Sequence, residues 1–528
     1  MRPNGFVHCI VPERKSAEFS VASAAPPLAS PPVDGNEAEG TSPTCGTGHD
    51  EANLADTLTP DLCVIGAGPA GLAVAEAARS LGLSVVIVDK GRLGGKGLHT
   101  GAVPTRALAA AASHAHAMRN GASFGITADA IKVNFRRVHD HVDAVIAALS
   151  PSRAAPHFEA LGAQVVSGDA AFTDKRTLKA GETLVRAHRF VLATGARPVV
   201  PAIPGLDAVP FFTTDTILDN TRKLTHLVII GGGPLGLELA QSYARLGTEV
   251  TVLEPAAFLP EYDPELAAVA LKRLEEEGVH LRPYTAVAAI HARSMGIGVS
   301  IRGADGEAML DVSHILVAVE RVPDLDTLDL DKAGIRRRKD DVTRLDLTAG
   351  LRTSNPRIYA AGDVAGGPAS VGAAHEQARI VVDNAFLAFV PRHSGDMPRV
   401  VSTDPEIAEV GYTERTARTK FGTSFRVLRA AYAENDRARA RRETYGVAKL
   451  VVGPGGRLLG AGVAGAGAAE LAALFSLALS ARLTVSQLGQ FAAPYPSLAE
   501  IASRLGRAAP RRDDPLTRAL LTLNRLLG

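Results

Sequence analysis

Two stretches of this chain repeat one pattern: a short unbroken apolar run, a glycine-rich break, an apolar stripe at helical spacing, and a second apolar run ending on a carboxylate. In the first, DLCVIG (61–66) predicts a buried strand, 69–81 an amphipathic helix, and SVVIVD (84–89) a second buried strand. In the second, HLVIIG (226–231) predicts a strand, a helix runs to about Leu246, and TEVTVLE (248–254) ends on Glu254. Continuous apolar strands alternating with helices predict parallel sheets covered on both faces, an α/β chain with two Rossmann-like domains. The pattern changes after about Pro398. Residues 458–481 are apolar apart from Glu470, glycine-rich at first and leucine-rich later, which reads as a buried strand and a core helix rather than a membrane span. Residues 22–59 show no periodicity and are rich in Ala, Pro, Ser, Gly and acids, so 1–59 reads as a disordered tail. After Pro515 a short leucine-rich amphipathic helix (516–527, within a 511–528 segment) reads as docking on the protein's own surface or a partner, not on a membrane.

Composition narrows this. A chain of 528 residues accommodates about three domains at the usual ~150 residues each. The net charge of +1, with both signs interspersed, gives no footprint for nucleic acid or an anionic membrane surface. Three cysteines, Cys9, Cys45 and Cys63, make no disulfide framework and fit a reducing, cytoplasmic setting; 6–11 is too short and interrupted for a signal peptide. Cys45 and His49 are too sparse for a metal site, and none is expected.

The two breaks carry chemistry. In GAGPAG, Gly66 permits the tight turn, Gly68 lets backbone approach a pyrophosphate, and Gly71 lets helix pack on strand. Asp89, 23 residues after Gly66, stands where ribose hydroxyls would be bound. GGGPLG repeats the device with Gly231, Gly233 and Gly236, and Glu254 closes it at the same spacing. Glu254 accepts from a ribose 2′-OH and repels a 2′-phosphate, and no Arg or Lys follows before Lys272, so NADH is preferred over NADPH. Two dinucleotide sites in one chain imply that one cofactor reduces the other.

Between these sites lies GGKGLHTGAVPTRAL (94–108), where Pro104 is predicted to open a helix. Its spacing resembles the active-site segment GGxCxxxxCxPSKAL of the class I pyridine nucleotide-disulfide oxidoreductases, a flavoprotein family with dihydrolipoamide dehydrogenase-like and mercuric reductase-like branches. VLATGARP (191–198), RIYAAGDV (357–364), DPEIAEVGYTE (404–414) and NDRARA (435–440) resemble further landmarks of that family, in order, so the likeness covers roughly 61–507. It implies an FAD domain over 60–203 and 325–397, an NAD(P) domain over 204–324, and a C-terminal α+β dimerisation domain over 398–510, hence a homodimer. It also implies FAD contacts from Gly66, Gly68, Gly71, Asp89, Lys90, Gly94, Gly95, Thr194, Gly195, Gly362 and Asp363, the last on the ribityl chain.

The departures from the family pattern matter as much. Gly97 and Ala102 stand where the family has its redox cysteines, so thiol-disulfide exchange by that route is excluded. Hydride transfer between nicotinamide and flavin belongs to the cofactors and would survive. Arg106 replaces the lysine that pairs with a glutamate, here Glu238, beside the flavin. Tyr495 and Glu500 occupy the family's His-Glu positions; a tyrosine with a pKa near ~10 is a poor base, and Tyr495 reads equally as dimer-interface packing. His99 reads as a flavin-side group or as polar packing, the arginines at 437, 439, 441 and 442 as a solvated or dimer-contact face, and Glu320 replaces a glycine near the second dinucleotide. Three readings follow. The chain is an NADH-dependent flavoenzyme passing electrons directly to a small acceptor (a quinone, oxygen, a metal species or a second nicotinamide), a flavin-binding scaffold without turnover, or a mercuric reductase or dihydrolipoyl dehydrogenase by ancestry alone.

Overall fold

The computed structural model describes residues 57–127, 130–304, 306–367, 369–387, 397–508 and 515–527. The predicted tail lies outside them except for its end. Thr57–Leu58, expected within that tail, instead pair in parallel with Thr183–Val185, because a sheet edge there offers unpaired backbone groups.

The first sheet has five parallel strands in the order Ile358–Ala360, Arg189–Leu192, Leu62–Ile65, Val85–Asp89 and Gln164–Ser167. Period-two alternation sends its side chains to two cores. Leu62 and Val64 pack with helices Pro69–Ser80 and Val371–Phe386. Cys63 and Ile65 face a small four-stranded sheet through Phe172, Leu178 and Val185. Both faces are covered, which is why this strand reads as an unbroken apolar run.

The second sheet repeats the plan, with parallel strands Phe212–Thr213, His314–Val317, His226–Ile230, Glu249–Leu253 and His280–Arg282. Leu227, Ile229, Val250 and Val252 pack with Leu237, Ala240 and Tyr243 of helix Pro234–Arg245. The other face, through Val228, Ile230 and Val317, rests on the antiparallel strands Ala286–Ala292, Ile297–Gly303 and Gly306–Val312. The core containing Leu237 also takes in Ala107, Leu108 and Ala112 of helix Ala102–Arg119, so the segment after the first dinucleotide unit packs against the second.

The C-terminal sheet is antiparallel, ordered Arg399–Val401, Glu406–Gly411, Leu458–Gly465, Val447–Val452 and Arg426–Ala431. The apolar stretch 458–481 forms strand Leu458–Gly465 and helix Ala468–Ser480, with Leu471 and Phe475 buried in its core. Among the described residues no helix is long and apolar enough to cross a membrane. Helix Pro515–Leu527 exposes Leu520, Leu523 and Leu526.

Candidate active site

Each glycine of the first loop does a separate job. Gly66 has φ +102°, and a Cβ there would lie 2.3 Å from the Ala193 carbonyl oxygen. A Cβ on Gly71 would lie 1.8 Å from the Gly66 oxygen, so helix and strand meet at backbone distance. Gly68 has an ordinary φ of −75°, and a Cβ there meets nothing within 4 Å. It faces open space. Pro69 takes the first helical position and no side chain caps the helix, so its first-turn N–H groups are presented to that space. Asp89 ties the neighbouring turns together, accepting from Ala67 N at 2.5 Å and Gly91 N at 2.7 Å.

The second loop copies this arrangement. Gly231 has φ +114° and would clash with the Ala318 oxygen at 2.4 Å, a Cβ on Gly236 would meet the Gly231 oxygen at 2.3 Å, and Gly233 is open. Glu254 accepts from Gly232 N at 2.8 Å and Ala256 N at 3.0 Å. Glu320, which stands in place of a glycine, has no positive φ, and its side chain is exposed.

One cavity of about 1330 Å³ joins the two units. Its lining includes Gly66, Gly68, Asp89, Lys90, Gly95, Thr194, Gly195, Gly362 and Asp363 from the first, and Gly233 and Glu238 from the second. Gly71, Gly94, Gly231, Gly236 and Glu254 are not among its lining residues. Gly94 N donates to the Ala67 oxygen at 2.8 Å, and a Cβ on Gly95 would lie 2.7 Å from Gly68 Cα, so the segment beginning at 94 is packed onto the first loop. Gln377 accepts from Gly362 N at 2.7 Å and donates to the Gly366 oxygen at 3.1 Å, holding the turn that carries Asp363. Burial pushes the Asp363 carboxyl up from its ordinary pKa, while Arg321 and Lys96 pull against that rise. Thr194 Oγ1 is buried without a hydrogen-bond partner at this wall.

The segment carrying Gly97 and Ala102 folds as helices Gly95–His99 and Ala102–Arg119. Pro104 therefore falls at the third helical position instead of the first. It is tolerated because first-turn N–H groups have no partner within the helix. Gly97 and Ala102 both line the cavity, and a Cβ on Gly97 would lie 2.6 Å from Cγ of Pro69. Arg106 Nη1 donates to Glu238 Oε2 at 3.0 Å, and Glu238 Oε1 accepts from Ser402 N at 2.7 Å. That carboxylate joins helix Ala102–Arg119, helix Pro234–Arg245 and the residue that follows strand Arg399–Val401. His99 Nε2 lies 2.9 Å from the Leu93 oxygen, so that nitrogen carries the proton as a donor.

The structure also gathers a group that the sequence reading passed over. Lys96 Nζ lies 2.7 Å from Asp215 Oδ2, and Arg321 Nη1 donates to Asp215 Oδ1 at 2.9 Å. All three line the cavity. No local motif announces them, because Asp215 follows the short strand Phe212–Thr213, far along the chain from both cations.

Tyr495 and Glu500 lie outside this cavity. Tyr495 is 75% exposed and its hydroxyl donates to Asp436 Oδ2 at 3.0 Å, which pushes the phenol above its ordinary pKa. Glu500 turns to Ser497 N at 3.3 Å. The arginines at 437, 439, 441 and 442 are exposed around the short helix Asp436–Ala440.

A family model described as pyridine nucleotide-disulphide oxidoreductase matches residues 60–378, and one for that family's dimerisation domain matches 397–505. The chain is 34% identical over 448 residues to a mercuric reductase of Streptomyces lividans, covering 83% of this chain and 94% of the relative. It is 32% identical over 467 residues to a dihydrolipoyl dehydrogenase of Geobacillus stearothermophilus, covering 86% and 96%. Among solved structures, the Cu(II) complex of the HOCl-induced flavoprotein disulfide reductase RclA from Escherichia coli superposes with a TM-score of 0.74 at 26% identity, covering 85% of this chain and 99% of that one. The cavity between two glycine loops thus belongs to a known architecture: the chain is a member of the FAD-dependent pyridine nucleotide-disulphide oxidoreductase family.

Proposed function

We propose that this protein is an FAD-containing, NADH-dependent oxidoreductase that delivers electrons directly to a small acceptor, with no redox disulfide in its catalytic cycle. One observation carries the reading. A single cavity is lined by the open glycines of both loops and by the segment in which Gly97 and Ala102 replace the family's cysteines.

The residues present fit FAD. Gly68 leaves room beside an uncapped helix start, and Thr194 Oγ1 is a buried polar atom awaiting a partner. In this reading Gly66, Gly68, Gly71, Gly94 and Gly95 shape the pyrophosphate site. Asp89 orders the ribose side, Lys90, Thr194 and Gly195 complete the wall, and Gly362 brings Asp363 to the ribityl chain. Gly231, Gly233, Gly236 and Glu254 serve NADH. When bound, FAD would supply the redox chemistry, taking up a hydride from NADH and returning two electrons to the acceptor, with the proton released to the acceptor or to water. Arg106 and Glu238 fix a charged pair at the junction of the two sites, held from behind by Ser402 N. Tyr495, tied to Asp436, is a poor acid and base near neutral pH, which supports a chemistry that does not route protons through it.

The match to a dimerisation domain supports a homodimer, the three cysteines fit a reducing, cytoplasmic setting, and the balanced charge gives no footprint for a nucleic-acid partner. The mercuric reductase relative and the Cu(II) complex of RclA put metal species among the acceptors to assay beside quinones, oxygen and a second nicotinamide. The test is an anaerobic NADH titration of the purified flavoprotein, followed by acceptor addition. NADH bleaches the visible flavin band and an acceptor restores it; a band that no NADH concentration bleaches overturns the proposal and leaves the scaffold reading.

A further inference from the structure

The group around Asp215 contains more positive charge than its own structure needs. Arg321 alone could hold the carboxylate, through Nη1 to Asp215 Oδ1 at 2.9 Å, with a further bond to Thr214 Oγ1 at 3.1 Å. Its Nη2 donates to the Ala196 oxygen at 2.7 Å. Lys96 adds a second cation at the same two acceptors, 2.7 Å from the Ala196 oxygen and 2.7 Å from Asp215 Oδ2. An ammonium has three donors. Two are satisfied by these contacts, and the third has no partner among the described residues. The Lys96 side chain is 43% exposed, and Lys96 lines the cavity immediately before Gly97. Lys96 and Arg321 also act on Asp363, on the turn opposite. Asp215 and Asp363 are thus shared between two cations, and the Lys96 ammonium keeps one donor without a protein partner at the cavity lining, where water screens its charge less than at an open surface.

We propose that Lys96 is an electrostatic residue of the flavin site, its ammonium stabilising the negative charge that the flavin ring gains when it becomes electron-rich. This rests on FAD occupying the cavity, and on nothing about the acceptor. In a site without a cysteine pair, a fixed cation provides charge complementarity that needs no change of redox state of the protein. Lys96 would make the bound flavin a stronger electron acceptor from NADH.

The test uses sulfite, which adds to N5 of oxidised flavin, forms an N–S bond and places negative charge on the pyrimidine end of the ring. The adduct bleaches the visible band without NADH, an acceptor or turnover. Sulfite is titrated into FAD-loaded wild type, Lys96→Met and Lys96→Arg. The Kd for sulfite is expected to rise about tenfold or more in Lys96→Met and to stay within about threefold of wild type in Lys96→Arg. Lys96→Gln, which keeps a donor for the Ala196 oxygen but no charge, is expected to follow Lys96→Met. A neutral variant that carries FAD and binds sulfite as wild type does overturns the inference while leaving the proposed function standing. Loss of FAD from both neutral variants also overturns it, by making Lys96 a binding residue. Wild-type protein that takes up no FAD sinks the proposed function itself.

Discussion

The two glycines Gly68 and Gly71 lie in one loop, yet replacing each with alanine should produce opposite failures. At Gly71 the new Cβ would stand 1.8 Å from the Gly66 oxygen, 3.0 Å from the Gly66 carbon and 3.2 Å from Ala193 Cβ. The obstacle is backbone, in a turn whose Gly66 already sits at φ +102°, so strand and helix must separate by more than an ångström to admit it. Overpacking of this kind costs ~1–3 kcal/mol, and a rigid backbone contact belongs at or above the top of that range. A loss of ~3 kcal/mol lowers Tm by roughly 6–12 °C in a domain of this size. At Gly68 the Cβ meets nothing within 4 Å and φ is −75°, a conformation any L residue adopts. Reduced freedom of the unfolded chain then contributes ~0.4–1 kcal/mol in favour of the variant. Its methyl, however, projects into the space proposed for the pyrophosphate. Lengthening those N–H contacts should weaken FAD by about tenfold or more, ~1.4 kcal/mol per decade. Thermal melts with and without FAD, beside calorimetric FAD titrations, separate the two effects. A Gly68→Ala protein that binds FAD as wild type does, or a Gly71→Ala protein with an unchanged melt, would refute this division of labour.

Other substitutions probe the neighbouring groups. Arg106→Ala leaves Glu238, whose side chain is only 10% exposed, with Ser402 N as its remaining partner, and should cost ~1–3 kcal/mol in a melt; Arg106→Lys should recover much of that. Gly97→Cys should cost ~1–3 kcal/mol because its Cβ would lie 2.6 Å from Pro69 Cγ, whereas Ala102→Cys, with a Cβ already accommodated, should melt close to wild type. His116 gives a pH signature. Asn120 Nδ2 at 2.9 Å and Arg273 Nη2 at 3.3 Å both point donors at its Nε2, and burial together with Arg245 holds its pKa below the ordinary value. A histidine kept neutral in the fold contributes stability that is complete above its unfolded pKa of ~6.5 and is lost as pH falls through the lower folded value. His116→Gln should therefore melt with a shallower loss than wild type from pH 7.5 to 5, and parallel profiles would contradict the assignment. Tyr495→Phe removes an exposed hydrogen bond and should shift stability by no more than about 0.5 kcal/mol.

What the sequence displays well is what local backbone geometry demands. A glycine at positive φ, a third glycine at backbone contact and a carboxylate at the next strand end must occur at fixed spacing, so the two units are legible to within a residue or two. Strand Leu62–Ile65 was expected over 61–66, and helix Pro234–Arg245 to about 246. What it displays poorly depends on distant partners. Thr57–Leu58 become a strand only because Thr183–Val185 present an edge. Helix Ala102–Arg119 starts before its proline because Pro104 costs no helical hydrogen bond at the third position. Arg321 and Asp215 are 106 residues apart, and Lys96 stands in a glycine-rich stretch with no acid near it in sequence, so no pattern predicts their meeting.

The same distinction bears on how the cysteine positions should be understood. From sequence, Gly97 and Ala102 look like two deletions of sulfur from an otherwise intact frame. In the structure the two are not equivalent. Ala102 keeps a Cβ at the cavity wall, while Gly97 lies so close to the Pro69 ring that no side chain fits without displacing the residue that opens the first phosphate-loop helix. Reinstating the pair would therefore strain the loop proposed to hold FAD. The neighbouring Lys96 is held in an ion cluster with Asp215 and Arg321. The cavity lining thus combines a crowded Gly97 position, the Lys96 ammonium and the Arg106–Glu238 pair. A disulfide centre breaks and re-forms a bond within the protein as it cycles, whereas the direct electron delivery we propose asks no such change of these residues, and the NADH titration with acceptor addition tells the two apart.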